Sequence, residues 1–383
     1  MQLQAMQDLL AQRQQAGLHR QLRVLEQVQG TQLWCDGKAY LNFSGNDYLG
    51  LASDPAVISA LQQGAAAYGV GSTGSPLVTG QHKAHQALSD ALSSWLNVPN
   101  ILLFSSGFAA NQAMLLGLTA ATETLVLDKL SHASMIDAAL QHPGGYQRFL
   151  HNDLSALDRV LTQLKTPAVV ATEGVFSMDG DSPDLPGMLA LCQQHDSTLL
   201  LDDAHGIGVL GGDGAGSLQH AQLPSTAVQC LMGNFGKALG GQGGFLATSA
   251  LVADYLTQSA RHFIYSTALS PALAVAMTSS VQLCRTQGWR REKLQENIAL
   301  CRQLAAHYDL ALLPSNTAIQ PLLIGDSQRA LAVSETLARQ GIWLTAIRSP
   351  TVPVHQARLR ITLSALHQPK DIAWLFQLLS QAL

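Results

Sequence analysis

Short, unbroken apolar runs separated by longer stretches of helical spacing fill the middle of this chain: Ile101–Phe104, Leu125–Leu127, Ala168–Ala171, Thr198–Leu201, Cys230–Met232 and Phe245–Ala247. A half-exposed strand would alternate polar and apolar positions. Continuous runs of this length, flanked by Gly and Asp, predict strands buried on both faces. With helices between them they predict a large, mostly parallel α/β domain over residues 46–285. Ahead of it, Leu3, Met6, Leu10, Leu18, Leu22 and Leu25 recur at helical intervals and predict an amphipathic helix over residues 1–28. A β segment over Gln32–Phe43 then turns at Asp36-Gly37, completing an N-terminal segment of residues 1–45. Past Arg290-Arg291-Glu292-Lys293 a Leu- and Ala-rich helix precedes strands near Ala318–Ile324, Trp343–Ile347 and Arg358–Leu363, with a last helix through Ile372–Leu379. Residues 286–383 read as a small C-terminal α+β domain.

Composition narrows the function classes. In 383 residues, 47% apolar and 13% charged, the chain has ample material for a large buried core. A net charge of −4 without a basic patch argues against nucleic acid as a partner. No run approaches the ~18 apolar residues of a membrane span, and Met1–Met6 lacks the basic-then-apolar layout of a secretory signal. Five scattered cysteines, never in a C-x-x-C pair, read as reduced thiols, so a cytoplasmic protein is expected. His82 and His85 have ligand-like spacing, but no carboxylate or cysteine partners them, and an exposed helix start is expected there.

Chemistry gathers where the apolar runs end, which is where open parallel sheets bind ligands. Lys237 lies among small residues in Met232-Gly233-Asn234-Phe235-Gly236-Lys237-Ala238-Leu239-Gly240-Gly241, just past a strand. A desolvated lysine amine attacks carbonyls, while glycine-flanked lysines also occur in phosphate loops and plain turns. Ser105-Ser106-Gly107-Phe108 opens a helix, and its free N–H groups suit a phosphate or an ordinary serine cap. His132, after Asp128, can stack on a planar ring or cap a helix. Thr172 through Asp181 crowds acidic and hydroxyl groups at one strand end, which costs stability unless they bond something. Asp202-Asp203-Ala204-His205 offers metal-like spacing or a carboxylate facing a protonated ring nitrogen, with Lys237 further on.

Taken in order, Asn46-Asp47-Tyr48-Leu49-Gly50, Ser106 through Asn111, Asp128 through Ser134, Thr172 through Asp181, Asp202 through Gly206 and Asn234 through Lys237 resemble the pyridoxal-phosphate enzymes of aspartate-aminotransferase fold type. Within these the match is to the α-oxoamine synthases, which condense an amino acid with an acyl thioester and release CO2. The resemblance covers nearly the whole chain and implies a fold-type I transferase, with pyridoxal 5'-phosphate bonded to Lys237. It implies Asp202 at the ring nitrogen, His205 at the ring oxygen and His132 on the ring face. Ser106, Gly107, Phe108, Ser177 and Asn234 would hold the cofactor, with Ser266 and Thr267 reaching its phosphate from the second subunit of a homodimer.

Arg20, the run His151-Asn152-Asp153 and the stretch from Ala346 to Arg360 point within the family to an acyltransferase of biotin biosynthesis that uses L-alanine and a pimeloyl thioester. Glycine with an acetyl thioester, or serine with a long acyl chain, is the competing pair, and a catalytically silent protein on the same fold is a third reading. Asn46 and Glu173 are candidates for ring-oxygen or substrate contacts. Arg360 is expected at the amino-acid carboxylate, against the alternative of a surface charge. Arg20, or else Arg348, with Thr351 nearby, is expected at the far carboxylate of the acyl group. The family carries Thr three residues before the lysine, where Asn234 stands here, which implies an altered phosphate contact.

Overall fold

The computed structural model describes residues 3–383. The described chain forms two compact units: residues 47–177 with 181–292, and residues 3–46 with 178–180 and 293–383. In chain order the strands are β1 (Gln27–Gln29), β2 (Gln32–Cys35), β3 (Lys38–Asn42), β4 (Asn100–Phe104), β5 (Thr124–Asp128), β6 (Tyr146–Phe149) and β7 (Ala168–Glu173). They continue as β8 (Thr198–Asp202), β9 (Cys230–Asn234), β10 (Gly244–Thr248), β11 (Ile319–Gly325), β12 (Ile342–Trp343), β13 (Ala346–Ile347) and β14 (Ala357–Thr362).

The large unit is built on a seven-stranded sheet in the order β4-β10-β9-β8-β7-β5-β6, in which β10 runs antiparallel to both neighbours and the remaining strands are parallel. The apolar runs of the sequence form its five central strands and the edge strand β4, and Leu125, Leu127, Val169, Leu200, Met232 and Leu246 join one core with Phe104, Met114 and Met135. The helix Gly107–Leu118 has buried residues on several faces, so it lacks an amphipathic pattern and is recognisable mainly by its Ser106 cap. Register matters most for function. Glu173 pairs with Asp202, Asp202 with Met232, and Gly244 with both Asn234 and Phe104. Consequently the carboxyl ends of β4, β5, β7, β8 and β9 share one edge.

The small unit holds two sheets, β1-β2-β3-β12 and β11-β14-β13. The hairpin expected at Asp36-Gly37 joins β2 to β3. The stretch Trp343–Ile347 is two short strands in different sheets rather than one. The N-terminal helix is also shorter than its leucine spacing predicts, ending at Gln15 with no buried residue. Gly17, at φ +64°, adopts the left-handed backbone that stops helices, and beyond it Leu22 and Leu25 are exposed.

Candidate active site

Asp202 closes β8 and is only 5% exposed. Oδ1 accepts the Ala204 N–H at 2.9 Å, and Oδ2 accepts from Asn111 Nδ2 at 2.7 Å. The same amide donates to Ser134 Oγ at 2.9 Å, and that hydroxyl lies 2.8 Å from His132 Nδ1. Because the Ser134 N–H also donates to Nδ1, at 3.2 Å, this nitrogen is an acceptor and the neutral ring carries its proton on Nε2. Burial holds the His132 pKa below its ordinary value, assisted by the Lys237 charge and opposed by Asp202. His132 is therefore both helix cap and fixed, neutral imidazole.

Glu173 sits beside Asp202 across the β7–β8 register, and its Oε1 accepts the His132 N–H at 2.6 Å. Burial, then the neighbouring Asp202 charge, push its carboxyl well above the usual range. Asp203 points elsewhere. It accepts the Ser217 N–H at 2.7 Å and Oγ–H at 2.5 Å, and burial raises its pKa to about 7. That bond pair fixes the loop carrying His205, whose Nδ1 is 2.8 Å from the buried Tyr48 hydroxyl.

Lys237 follows β9 in a turn tied by Gly236 N–H to Asn234 Oδ1 (2.6 Å), Gly241 N–H to the Phe235 carbonyl (2.7 Å) and Gly240 N–H to the Lys237 carbonyl (2.9 Å). Its charge acts on His132, Glu173 and Asp203, which places the amine among the acids and imidazole of this strand edge. At the start of helix Gly107–Leu118, Ser106 Oγ accepts the Ala109 N–H at 3.1 Å. The first N–H groups of a helix have no acceptor inside it and face outward with the positive end of the dipole. A Cβ on Gly107 would fall 2.7 Å from Asn234 Nδ2, so a larger residue there would require the Asn234 amide to move aside, and glycine leaves the helix start close to the lysine turn.

Ser177 is half-buried in the loop after β7, Phe108 is exposed, and Ser266 and Thr267 follow the short helix Arg261–Ile264. Two bonds anchor that last segment to the glycine-rich loop before the sheet: Ala268 N–H to Gly74 O (2.9 Å) and Ser72 Oγ to Ala268 O (2.6 Å).

In the small unit Arg360 is buried on β14 and donates to Asn46 Oδ1 at 3.3 Å, so it is not a solvated surface charge. Arg20 Nη2 approaches Thr351 Oγ1 at 3.4 Å, and Arg348 donates to the Gly17 carbonyl. Burial and the nearby Arg20 charge lower the Arg348 pKa. Neither arginine forms an ion pair among the described residues, so two like charges stand together beside a hydroxyl.

Asn111, Ser134 and Tyr48 received no role from the sequence, although all three stand within its motifs. The available signal was the polar pair Asn111-Gln112 in an otherwise apolar helical stretch. His82 and His85 do begin a helix, but His85 is buried, accepting the His82 N–H on Nδ1 (2.9 Å) and reaching the Leu269 carbonyl with Nε2 (2.7 Å).

The family model for aminotransferase class I and II matches residues 38–378. The 8-amino-7-oxononanoate synthase of Vibrio vulnificus is 50% identical over 97% of this chain and 95% of its own length. That of Photobacterium profundum is 46% identical over 97% and 95%. The chain belongs to the aminotransferase class I and II family, among the 8-amino-7-oxononanoate synthases. Solved structures agree on the fold-type I architecture. A serine palmitoyltransferase from S. paucimobilis with bound PLP-myriocin aldimine superimposes with a TM-score of 0.95 at 28% identity, covering 100% of this chain and 98% of that one. The 8-amino-7-oxononanoate synthase of Francisella tularensis gives 0.79 at 28% identity, covering 89% and 97%.

Proposed function

We propose that the chain condenses L-alanine with a pimeloyl thioester, releasing CO2 and the free thiol and giving 8-amino-7-oxononanoate for biotin synthesis. The observation that carries this reading is 50% identity over nearly the full length to a synthase of that name. The cofactor is pyridoxal phosphate, and the large unit fits it. A desolvated carboxylate suits a protonated ring nitrogen, a helix start with a side-chain-free glycine suits a phosphate, and a lysine lies within electrostatic reach of both acids.

When bound, the cofactor supplies an electron sink for negative charge at the amino acid's Cα. Asp202, held by Asn111 and Ala204, keeps the proton on the ring nitrogen. Lys237 Nζ would hold the cofactor covalently and, as a free amine, would take the Cα proton from alanine. His132, locked by Ser134 and braced by Glu173, would lie against the ring and present Nε2–H. His205, oriented by Tyr48, donates to the ring oxygen. The amides of Gly107 and Phe108, with Ser106 and Asn234, receive the phosphate, and Ser266 and Thr267 do so from the second subunit of a homodimer. Arg360 with Asn46 takes the alanine carboxylate as a planar bidentate fork. Arg20, Arg348 and Thr351 take the distal carboxylate of the pimeloyl group.

A second reading has a specific observation behind it, since the serine palmitoyltransferase fold agrees at a TM-score of 0.95. A long alkyl acyl chain carries no distal charge, however, and gives the paired arginines nothing to neutralise. Turnover of the purified holoenzyme with alanine and pimeloyl-CoA, glycine and acetyl-CoA, and serine and palmitoyl-CoA separates the readings. Product from the first pair alone is expected, and product from serine and palmitoyl-CoA alone would replace the proposal.

A further inference from the structure

The reaction leaves His151 unused. It stands just beyond β6 between two carboxylates, with Nδ1 2.8 Å from Asp128 Oδ1 and Nε2 2.8 Å from Asp181 Oδ2. Ionised carboxylate oxygens only accept, so a ring facing one on each side carries both protons and is an imidazolium. Asp128 closes β5 and also accepts the N–H groups of Leu130 (2.7 Å) and Asn152 (3.0 Å). Asp181 also accepts from Asn152 Nδ2 at 2.7 Å, and its backbone carbonyl takes the Phe176 N–H at 2.9 Å, closing the loop that contains Ser177. The imidazole and the Phe176 ring meet in a T-shaped contact at 4.5 Å between centroids. One cation thus links the end of β5, four residues before His132, to the loop after β7.

We infer that His151 is a positioning residue, a permanent cation that clamps the turn bearing His132 to the loop bearing Ser177 and so fixes the spacing of two groups that face the cofactor. Its effect on turnover rests on the proposed reaction, whereas the clamp itself does not. The plain alternative is an ion-pair cluster that contributes only to folding.

The variants His151→Gln, Asp181→Asn and their combination separate the two. In cofactor-free protein, nitrogen-15 NMR of the labelled ring reads the clamp directly. Burial works against the charge, yet the bonds to Asp128 and Asp181 hold the pKa up at about 10, so the ring is expected to stay doubly protonated at pH 8. Asp181→Asn should bring that titration down. A wild-type ring that titrates near the ordinary value of about 6.5 overturns the clamp whatever the substrate. In the holoenzyme each single variant is expected to lower kcat about tenfold with KM for alanine within about twofold. The double variant should lose no more than either single one, because both cut the same link. Additive losses, or an unchanged kcat in folded protein, overturn the positioning role. Should His151→Gln fail to fold, the near-isosteric Asp181→Asn carries both measurements.

Discussion

In the large unit, Asp202, Asn111, Ser134 and His132 are joined by hydrogen bonds of 2.7 to 3.2 Å. In the small unit, Arg20 and Arg348 repel each other, and the contact from Arg20 to Thr351 is a long 3.4 Å. The first group is a solved electrostatic problem. Each member constrains the next, down to the tautomer of His132, as reaction chemistry requires of groups that must be right before substrate arrives. The second has no compensating ion pair among the described residues, and on the proposed function the acyl group's distal carboxylate would supply the missing anion. Partial exposure keeps its cost low in the absence of ligand, and an arriving carboxylate relieves it. On the proposed function, the groups assigned to catalysis and those assigned to recognition therefore differ in burial and in how completely the protein satisfies their charges.

Four substitutions probe this contrast. Asp202→Asn removes the anion on which the buried chain converges, and kcat should fall about 10²- to 10³-fold, the size of losing one preorganised electrostatic contact. Steady-state assays at saturating alanine check it, and a loss confined to KM would contradict a role at the reacting ring. Arg20→Ala or Arg348→Ala should raise KM for pimeloyl-CoA about tenfold, as one charge-assisted contact implies, while leaving octanoyl-CoA turnover nearly unchanged. Equal losses with charged and uncharged acyl groups would remove the far-carboxylate assignment. Asn234→Thr should have the smallest effect. The shorter hydroxyl frees the space beside Gly107, and cofactor affinity by equilibrium dialysis should tighten by about threefold, within the range of one modest hydrogen bond. No gain would mean that the Asn234 bond to Gly236 already serves the site as well as a threonine could.

The large sheet was legible because strands buried on both faces have to be continuously apolar. β6 was not, because Tyr146, Gln147 and Arg148 are exposed at the sheet's edge and carry no such run. The reversed direction of β10 leaves no trace in its composition, since a strand between two others is buried whichever way it runs. The N-terminal leucines repeat at helical spacing, but Gly17 interrupts the backbone and nothing covers the residues beyond it, so periodicity overstated the helix. The charged members of the site stood out as polar residues ending apolar strands. Asn111, Ser134 and Tyr48 did not, because their contributions depend on neighbours from other strands and loops that only the register brings close. His151 was visible as part of a motif, while its two carboxylate partners lie 23 and 30 residues away in the chain.

On the proposed function, Lys237 Nζ holds the cofactor through its aldehyde carbon. Borohydride reduction of the holoenzyme, followed by peptide mass spectrometry, tests it most directly. The visible absorption band should disappear, with one pyridoxyl-phosphate adduct on the peptide containing Lys237 and none in Lys237→Ala. An adduct on a different lysine, or a Lys237→Ala protein that still turns over alanine at the wild-type rate, would contradict the account.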